Sequence, residues 1–145
     1  MTRLLLPALL LTLLLGGCET TPVPMSAAKQ ASADRVLAFQ KPAGEKSATL
    51  IVIRDDGLVG SGCNFALHIN QVLAARLEAA EFARFYVEPG EIVLRAGWDP
   101  QGKGLCSFGQ DQWTQRETFL KPGEKKSFRL SFGTSGRFDI QRTDF

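Results

Sequence analysis

The sequence predicts an all-β fold for residues 48–145, an antiparallel sandwich or barrel of about seven to eight strands. Three observations indicate this class. Apolar residues alternate with polar ones in short stretches, as they do in half-buried strands. Turn signals such as Pro-Gly separate these stretches at regular intervals. No long stretch has a convincing helical period. We expect a single domain, because the chain is too short for two hydrophobic cores.

The first strand is predicted at residues 48–53, whose continuous β-branched and aliphatic run suits a central strand covered on both faces. Residues 54–57, Arg-Asp-Asp-Gly, end this strand with turn chemistry. Residues 63–69 then alternate, which places Cys63 on the apolar face of the next strand. Asn70-Gln71 predicts a tight hairpin into the strand that follows.

Residues 72–85 are ambiguous because Ala, Leu, Glu and Arg dominate them, and propensity alone favours a helix. The flanks favour a strand followed by an irregular connection. A tight turn precedes the segment, and residues 85–87 lead into a Pro-Gly turn at residues 88–91. We therefore predict a strand from residue 72, with a helix as the alternative.

Two Pro-Gly turns, at residues 88–91 and 121–124, predict type II turns of the same construction, each within a hairpin. Pro presets its own backbone dihedral, and Gly accepts the positive φ that such a turn requires. The strand after the first turn, residues 92–98, has its apolar residues on one face. The remaining strands are predicted at residues 118–120, 128–132 and 138–140, with a turn at residues 133–136.

The amino-terminal residues resemble an export signal. Arg3 provides a positive flank, and residues 4–15 form a short apolar run. Such a run is too short to span a bilayer, which needs about 20 apolar residues. The run ends in Leu-Gly-Gly-Cys at residues 15–18, which resembles the lipobox of bacterial lipoproteins. That resemblance implies that residues 1–17 are cleaved and that Cys18 carries a diacylglycerol thioether and an N-acyl chain.

A flexible tether is predicted at residues 18–47. Thr, Pro, Ala, Ser, Lys and Gln dominate this segment, which cannot bury enough apolar surface to fold alone. Residues 27–39 have helical composition, and Lys41-Pro42 would end a short helix there. By random-coil scaling, such a tether would reach about 30 Å.

The charge balance argues against a nucleic-acid partner. Removing residues 1–17 from the 145 leaves 128 residues, and Arg3 is the only charged residue removed. The remainder has 16 Lys and Arg against 15 Asp and Glu, a balance of +1. These charges are interspersed, whereas phosphate-binding proteins usually have basic patches. The same mixing offers no polybasic attachment to anionic lipid.

The three cysteines divide into a lipid site and a pair if Cys18 is acylated. Exported compartments are oxidising, so Cys63 and Cys106 are predicted to form a disulfide. Two separate buried thiols are the alternative. Two cysteines and the one histidine of the chain fall short of the ligand set of a structural zinc. The sequence therefore predicts no metal and no cofactor.

The candidates for catalytic chemistry have structural explanations. Ser61 lies in Gly-Ser-Gly without the glycine spacing of a nucleophile elbow, which favours a flexible turn. His68 has no neighbouring carboxylate in the sequence and is predicted on the polar side of a strand. Asp55-Asp56-Gly57 offers oxygens to calcium but lacks a full ligand pattern, so a solvated turn is favoured. We therefore predict no catalytic residue and no enzyme activity.

Three residues are candidates for a binding surface. Trp98 and Trp113 flank a loop that Cys106 would hold, and an exposed aromatic side chain there would bind protein or glycan. Arg54 directly follows the first buried strand, where a carboxylate or a ring of backbone carbonyls would hold it. For Arg54 a structural role is favoured.

Beyond the lipobox, residues 39–95 resemble a domain-of-unknown-function family of small bacterial lipoproteins. The resemblance rests on Phe-x-x-Pro at residues 39–42, on the apolar strand ending in Arg54, and on Val-Glu-Pro-Gly-Glu-Ile-Val-Leu at residues 87–94. The chain departs from the family pattern with Asn70-Gln71 at its hairpin. The resemblance implies a β-sandwich-like envelope domain and no activity that carries over.

These features lead to one expectation and one alternative. The chain is expected to be a non-enzymatic binding or structural protein, held in a membrane by lipid at Cys18 and contacting an envelope protein or peptidoglycan. Glu19 occupies the position where an Asp, by resemblance to enterobacterial sorting rules, favours inner-membrane retention. We therefore expect the outer membrane, facing the periplasm. The alternative is an inhibitor of a cell-wall hydrolase, similar to the lysozyme-inhibiting lipoproteins in size, lipidation and disulfide use.

Overall fold

The structure, a computed structural model, describes residues 19–58 and 60–144. Nine β-strands and two short 3-10 turns form within these residues. The strands are β1 (Lys29–Gln30), β2 (Ala48–Arg54), β3 (Phe65–Ile69), β4 (Val72–Leu77), β5 (Glu81–Val87), β6 (Gly90–Trp98), β7 (Trp113–Leu120), β8 (Lys125–Phe132) and β9 (Phe138–Thr143), and the 3-10 turns are Ala33–Arg35 and Gly104–Ser107. Within this described part, no helix is both long and apolar enough to cross a membrane.

The strands form two sheets that share a hydrophobic core. One sheet has five strands in the order β1-β5-β2-β8-β9, and the other has four in the order β4-β3-β6-β7. Neighbouring strands are antiparallel except for β1 with β5 and β2 with β8, which are parallel. Side chains of both sheets meet in the core, for example Phe65 of β3 against Phe138 of β9. The predicted all-β sandwich is confirmed.

Strand β2 is the central strand that its composition predicts. It pairs with β5 on one side and with β8 on the other. Leu50, Val52 and Ile53 have no exposed surface, and every β2 residue from Leu50 to Arg54 is buried. A continuous apolar run suits such a strand because both of its faces are covered.

The ambiguous segment 72–85 forms strands, so the helix alternative is wrong. Asn70 and Gln71 have φ values of 48° and 69°, as a type I′ hairpin requires, and β4 follows them directly. The predicted irregular connection is limited to residues 78–80, because β5 begins at Glu81. It is wrong for residues 81–85, which belong to β5. Alternate residues of β5 are buried. Burial against the opposite sheet therefore outweighs the helix propensity of the segment.

The two Pro-Gly segments connect strands, but neither one closes a hairpin. The type II prediction is wrong for the first segment, because Gly90 has a φ of 133° and already belongs to β6. The strands that flank each turn, β5 with β6 and β7 with β8, belong to different sheets. The second turn fits type II geometry, because Gly123 has a φ of 71° and the Glu124 N–H donates to the Lys121 carbonyl at 3.0 Å. Each turn carries the chain between sheets because β5 and β8 pair with β2, whereas β6 and β7 pair with each other.

The segment predicted as a flexible tether lies on the sandwich instead of extending from it. Strand β1 pairs with β5, and the Leu37 N–H donates to the Ala74 carbonyl of β4 at 2.8 Å. Ala31 is buried in the core. The segment thereby covers one edge of each sheet. Composition alone misses this arrangement because the segment gains its stability from backbone hydrogen bonds at existing sheet edges, not from a core of its own.

The short helix predicted within residues 27–39 is reduced to the 3-10 turn Ala33–Arg35. The Arg35 guanidinium donates two hydrogen bonds to the Glu81 carboxylate, at 2.6 and 2.7 Å, and so fixes this turn against the start of β5. The predicted signal peptide and Cys18 fall on residues 1–18, which lie outside the described residues.

Candidate binding surface at the loop end

The described site residues predicted from the sequence all lie at one end of the sandwich. Strands β2, β6 and β8 end there, and β3, β7 and β9 begin there. Residues 55–64, 99–112 and 133–137 connect these strands, and we call this region the loop end. The predicted residues that lie at the loop end are Arg54, Cys63, Trp98, Cys106 and Trp113.

Arg54, the last residue of β2, is held by backbone carbonyls. Its guanidinium donates to the carbonyl oxygens of Cys63 at 2.5 Å, Gly60 at 2.6 Å and Leu77 at 2.7 Å. The guanidinium also lies over the Phe65 ring, 3.7 Å from the ring centroid. Burial lowers the pKa of Arg54 to about 10, so the group stays charged at neutral pH. Of the two arrangements predicted for Arg54, the ring of carbonyls is the one present, and it fixes the first loop against the sheets.

Trp98, the last residue of β6, is part of the core beneath the loops. Its ring centroid lies 5.3 Å from that of Phe65, 5.2 Å from that of Phe132 and 5.0 Å from that of Phe138. Gly60 packs against the indole so closely that a Cβ would lie 2.4 Å from the Trp98 Cη2 atom. Gly60 also has a φ of 70°, so its conformation and its surroundings both require glycine. The Gly-Ser-Gly turn, predicted as flexible, is therefore held in place.

The predicted Cys63–Cys106 disulfide is present, and it joins two of the three loops. The placement of Cys63 on the apolar face of a strand is wrong, because β3 begins at Phe65 and Cys63 lies in the loop before it. A second set of contacts holds the loop that contains Cys106. The Gln110 side-chain amide donates to the carbonyls of Asp99, Gly102 and Cys106, at 3.1, 3.1 and 3.3 Å. The loop end is thus crosslinked by a covalent bond and by hydrogen bonds, although it contains little regular structure.

An apolar groove of about 530 Å³ lies beside Trp98 and the disulfide. It is lined by residues 58, 60–63, 98, 105, 106 and 108, and we call it the apolar groove. Three of its large side chains are strongly exposed: Leu58 by 86%, Leu105 by 87% and Phe108 by 72%. Grouped apolar side chains in the open are typical of surfaces that contact another molecule.

Leu58, Leu105 and Phe108 are not predicted as site residues from the sequence. Each is an isolated apolar residue in a polar, glycine-rich loop, where no helix or strand period marks it. One signal does point to them. Leu58 precedes Cys63, and Leu105 and Phe108 stand on either side of Cys106, so the predicted disulfide itself brings the three into one neighbourhood.

Trp113 lies at the loop end but outside the apolar groove. Its side chain is half exposed, and the Arg95 guanidinium lies 4.0 Å from its ring centroid. It lines a separate polar groove of about 420 Å³ together with Asp111 and Arg137. The two predicted tryptophans therefore have different environments: Trp113 is an exposed aromatic residue, and Trp98 is largely core.

The other candidates for chemistry are separated in space. Ser61 lines the apolar groove, whereas His68 lies within β3, where burial and the charge of Arg95 lower its pKa. Asp55 is buried in an ion pair with Arg129, so the predicted solvated turn is wrong at this residue. Burial raises the pKa of Asp55, and Arg129 opposes this shift. The described part of the chain contains no cluster of three or more His, Cys, Asp or Glu side chains able to hold a metal ion.

The start of the described chain is fixed at the loop end. The Thr20 N–H donates to the Phe132 carbonyl at 3.1 Å, and the Thr20 hydroxyl accepts from the Phe132 N–H at 2.9 Å. Thr21 and Asp56 exchange two backbone hydrogen bonds, at 2.6 and 3.0 Å. Gly57 lies so close to Thr20 that a Cβ on Gly57 would be 3.0 Å from the Thr20 Cα. The chain that directly follows the predicted lipid site is therefore part of the loop end.

No protein-family model and no curated protein matches this chain. The resemblance of residues 39–95 to a family of small bacterial lipoproteins stays a prediction. The role of the loop end is therefore inferred from its own chemistry.

Proposed function

We propose that this chain is a lipid-anchored protein of the bacterial cell envelope that acts by binding through its loop end. The lipobox-like residues 15–18 support lipid attachment at Cys18, and the Cys63–Cys106 disulfide suits an oxidising compartment. The observation that carries the binding role is the apolar groove, whose exposed side chains lie on crosslinked loops. Glu19 supports the outer membrane, facing the periplasm, as its location.

The chemistry of the loop end favours contact with a partner over catalysis. Its buried charged groups already have structural partners: Arg54 is bonded to three carbonyls, and Asp55 is paired with Arg129. The Gln110 amide is likewise bonded to carbonyls of its own loop. Beside these groups the loop end exposes the apolar side chains of Leu58, Leu105 and Phe108, and apolar surface binds by excluding water.

Labelling with a palmitate analogue in cells tests the anchor. Wild-type protein should incorporate the label and partition with membranes, and a Cys18→Ser variant should not incorporate it. A Cys63→Ser/Cys106→Ser variant is the matched control, because it also loses cysteines but should keep the label. Unlabelled wild type, or a Cys18→Ser variant that is labelled, would contradict the proposal.

An assay for hydrolysis tests the non-enzymatic role. Purified protein incubated with peptidoglycan or phospholipid should release no product. His68 is the one histidine of the chain and so the one candidate general base of that type. Hydrolysis by wild type that disappears in a His68→Ala variant would make the protein an enzyme and contradict the proposal.

Inhibition of a cell-wall hydrolase is the second candidate function, and Trp113 is the observation that favours it. A half-exposed tryptophan stacked on Arg95, at the edge of a sheet, has the character of an anchor in a protein interface. Lysozyme activity measured with this protein in excess should fall with wild type and recover with a Trp113→Ala variant. Lysozyme activity that wild type leaves unchanged would remove this candidate.

A further inference from the structure

The contacts of Thr20 set how far the predicted lipid can lie from the sandwich. Thr20 is hydrogen-bonded to the Phe132 backbone through both its own backbone N–H and its hydroxyl. Cys18 precedes Thr20 by two residues, and a fully extended chain of two residues spans at most about 7 Å. A lipid attached to Cys18 therefore begins beside the loop end, and the reach of about 30 Å expected for a flexible tether does not apply.

The apolar groove adjoins this attachment point. Gly57 packs on Thr20, and Leu58, the first exposed residue of the groove, follows Gly57 directly. The disulfide ties the same loop to Leu105 and Phe108, whose side chains are also exposed. The three large apolar side chains thus lie on the part of the protein that a lipid at Cys18 would hold nearest to a membrane.

We infer that the partner of the apolar groove is the surface of the lipid bilayer, with Leu58, Leu105 and Phe108 inserted at the boundary between headgroups and acyl chains. This inference rests on the proposed lipid attachment at Cys18. Apolar side chains at that depth lose their contact with water, and binding of this kind scales with the apolar area inserted. The sandwich then stands on its loop end, and the two Pro-Gly turns point away from the membrane.

The charges of the loop end select the kind of lipid surface. The exposed charged side chains of its three loops are of both signs, with Asp56 and Asp111 against Lys103 and Arg137, and Glu19 next to Thr20 adds a negative charge. Anionic lipid would gain little from a surface without an excess of positive charge. The groove should therefore bind zwitterionic bilayers. Added salt should change the affinity for the bilayer little, because the contact is apolar and not ionic.

Photolabelling of the native lipoprotein in phosphatidylcholine vesicles tests the orientation. A diazirine probe that partitions into the acyl region should label Leu58, Leu105 and Phe108, as mapped by mass spectrometry. Phe119 is the internal control, because it is 62% exposed but pairs with Glu91 beside the first Pro-Gly turn, at the opposite end. Label at Phe119 equal to that at the groove would overturn the inference. So would a groove free of label, for example because the protein's own acyl chain fills it.

A second measurement separates this inference from the proposed anchor. The processed chain, residues 18–145 with Cys18→Ser, should sediment with phosphatidylcholine vesicles through the groove alone. Replacing Leu58, Leu105 and Phe108 by Ser should lower the partition coefficient at least about tenfold, and Phe119→Ser should leave it unchanged. All four residues are exposed, so the fold should be unaffected.

Two outcomes overturn the inference while lipidation at Cys18 still stands. One is equal vesicle binding by the triple variant and the Phe119→Ser variant, and the other is no vesicle binding by any of the chains. If the native protein carries no lipid, the proposed anchor at Cys18 is contradicted instead. The vesicle experiment then tests only whether the groove binds the bilayer.

Discussion

Arg54 positions the loop end through a single guanidinium. Its three carbonyl partners come from the first loop and from the end of β4, so one side chain joins parts of the chain that are distant in sequence. The Phe65 ring beneath it belongs to β3. A charged group buried with hydrogen-bond partners stabilises a fold, whereas partners left behind without it are unsatisfied.

Replacing Arg54 should therefore destabilise the protein strongly. Arg54→Met keeps most of the side-chain volume but leaves three carbonyls without their donor, and we expect a loss of about 3 kcal/mol in the free energy of unfolding. Arg116→Met is the matched control, because Arg116 is exposed on β7, and it should change stability by less than about 0.5 kcal/mol. Urea unfolding measures both. Equal stability of the two variants would contradict the structural role of Arg54.

Gly60 at the loop end and Gly123 at the opposite end form a matched pair, because they share a backbone conformation and differ in their surroundings. Their φ values are 70° and 71°, but a Cβ on Gly60 meets Trp98, whereas a Cβ on Gly123 meets no atom within 4 Å. Gly123→Ala should cost about 1 kcal/mol from backbone strain alone. Gly60→Ala should cost about 2 kcal/mol or more, because a clash is added. Thermal unfolding compares them, and an equal loss for both would mean that Gly60 is not packed against the indole.

His68 should make stability depend on pH. Burial and Arg95 lower its pKa in the folded protein below the ordinary value of 6.5, so the unfolded chain binds the proton more readily. The free energy of unfolding should therefore fall as pH drops through 6.5 towards the lower pKa of the folded state. A His68→Gln variant should lack this part of the pH dependence. Identical pH profiles of wild type and variant, measured by urea unfolding between about pH 7 and 5, would contradict the shift.

At the scale of elements, local patterns predict the strands better than their partners. The apolar run of β2 and the Asn70-Gln71 turn are visible in the sequence and present in the structure. Strand β3 also forms where alternation predicts a strand, but its burial does not alternate, because Ala66 is buried as well. The Pro-Gly turns are also visible, but which strands they join in a sheet is not. Strand pairing depends on which faces the whole sandwich must bury, and a turn of a few residues carries no information about that.

The amino-terminal segment illustrates the same limit. Its polar composition resembles that of a linker, yet β1 pairs with β5, and the Leu37 N–H donates a hydrogen bond to the Ala74 carbonyl of β4. Those contacts use backbone groups, which every sequence provides, and the edges that receive them exist only once the sheets have formed. Composition therefore cannot distinguish this segment from a free tether.

Only some residues of the candidate site are predictable from the sequence, because the significance of the others depends on the folded structure. Arg54, the cysteine pair and the two tryptophans are rare residue types or stand at conspicuous positions that draw attention by themselves. Leu58, Leu105 and Phe108 are common residues whose significance is their exposure, and exposure depends on the folded loops. Only the prediction of the Cys63–Cys106 disulfide brings their two loops together before the structure is known.

The disulfide should stabilise the loop end and the fold together. It closes a loop with a sequence separation of 43 residues, for which the chain-entropy model gives up to about 4 kcal/mol. A Cys63→Ser/Cys106→Ser variant should therefore lose about 2–4 kcal/mol in the free energy of unfolding. A variant as stable as wild type in urea would contradict a structural role for the bond.

The whole molecule combines a predicted lipid site at Cys18, a short connection through Thr20 and an apolar surface. The structure places Thr20 at the loop end, and the groove with its exposed leucines and phenylalanine lies at the same end. A lipid at Cys18 would hold the sandwich close to the membrane in one orientation. The opposite end, with the Pro-Gly turns, would then face the periplasm.

The mass of the intact protein extracted from membranes tests whether Cys18 is the lipidated first residue of the mature chain. We expect the mass of residues 18–145 with one disulfide, increased by a diacylglycerol and an N-acyl chain. Reduction should add two hydrogens at Cys63 and Cys106 and leave the lipid in place. A protein that retains residues 1–17, or that starts at Cys18 without lipid, would contradict the account.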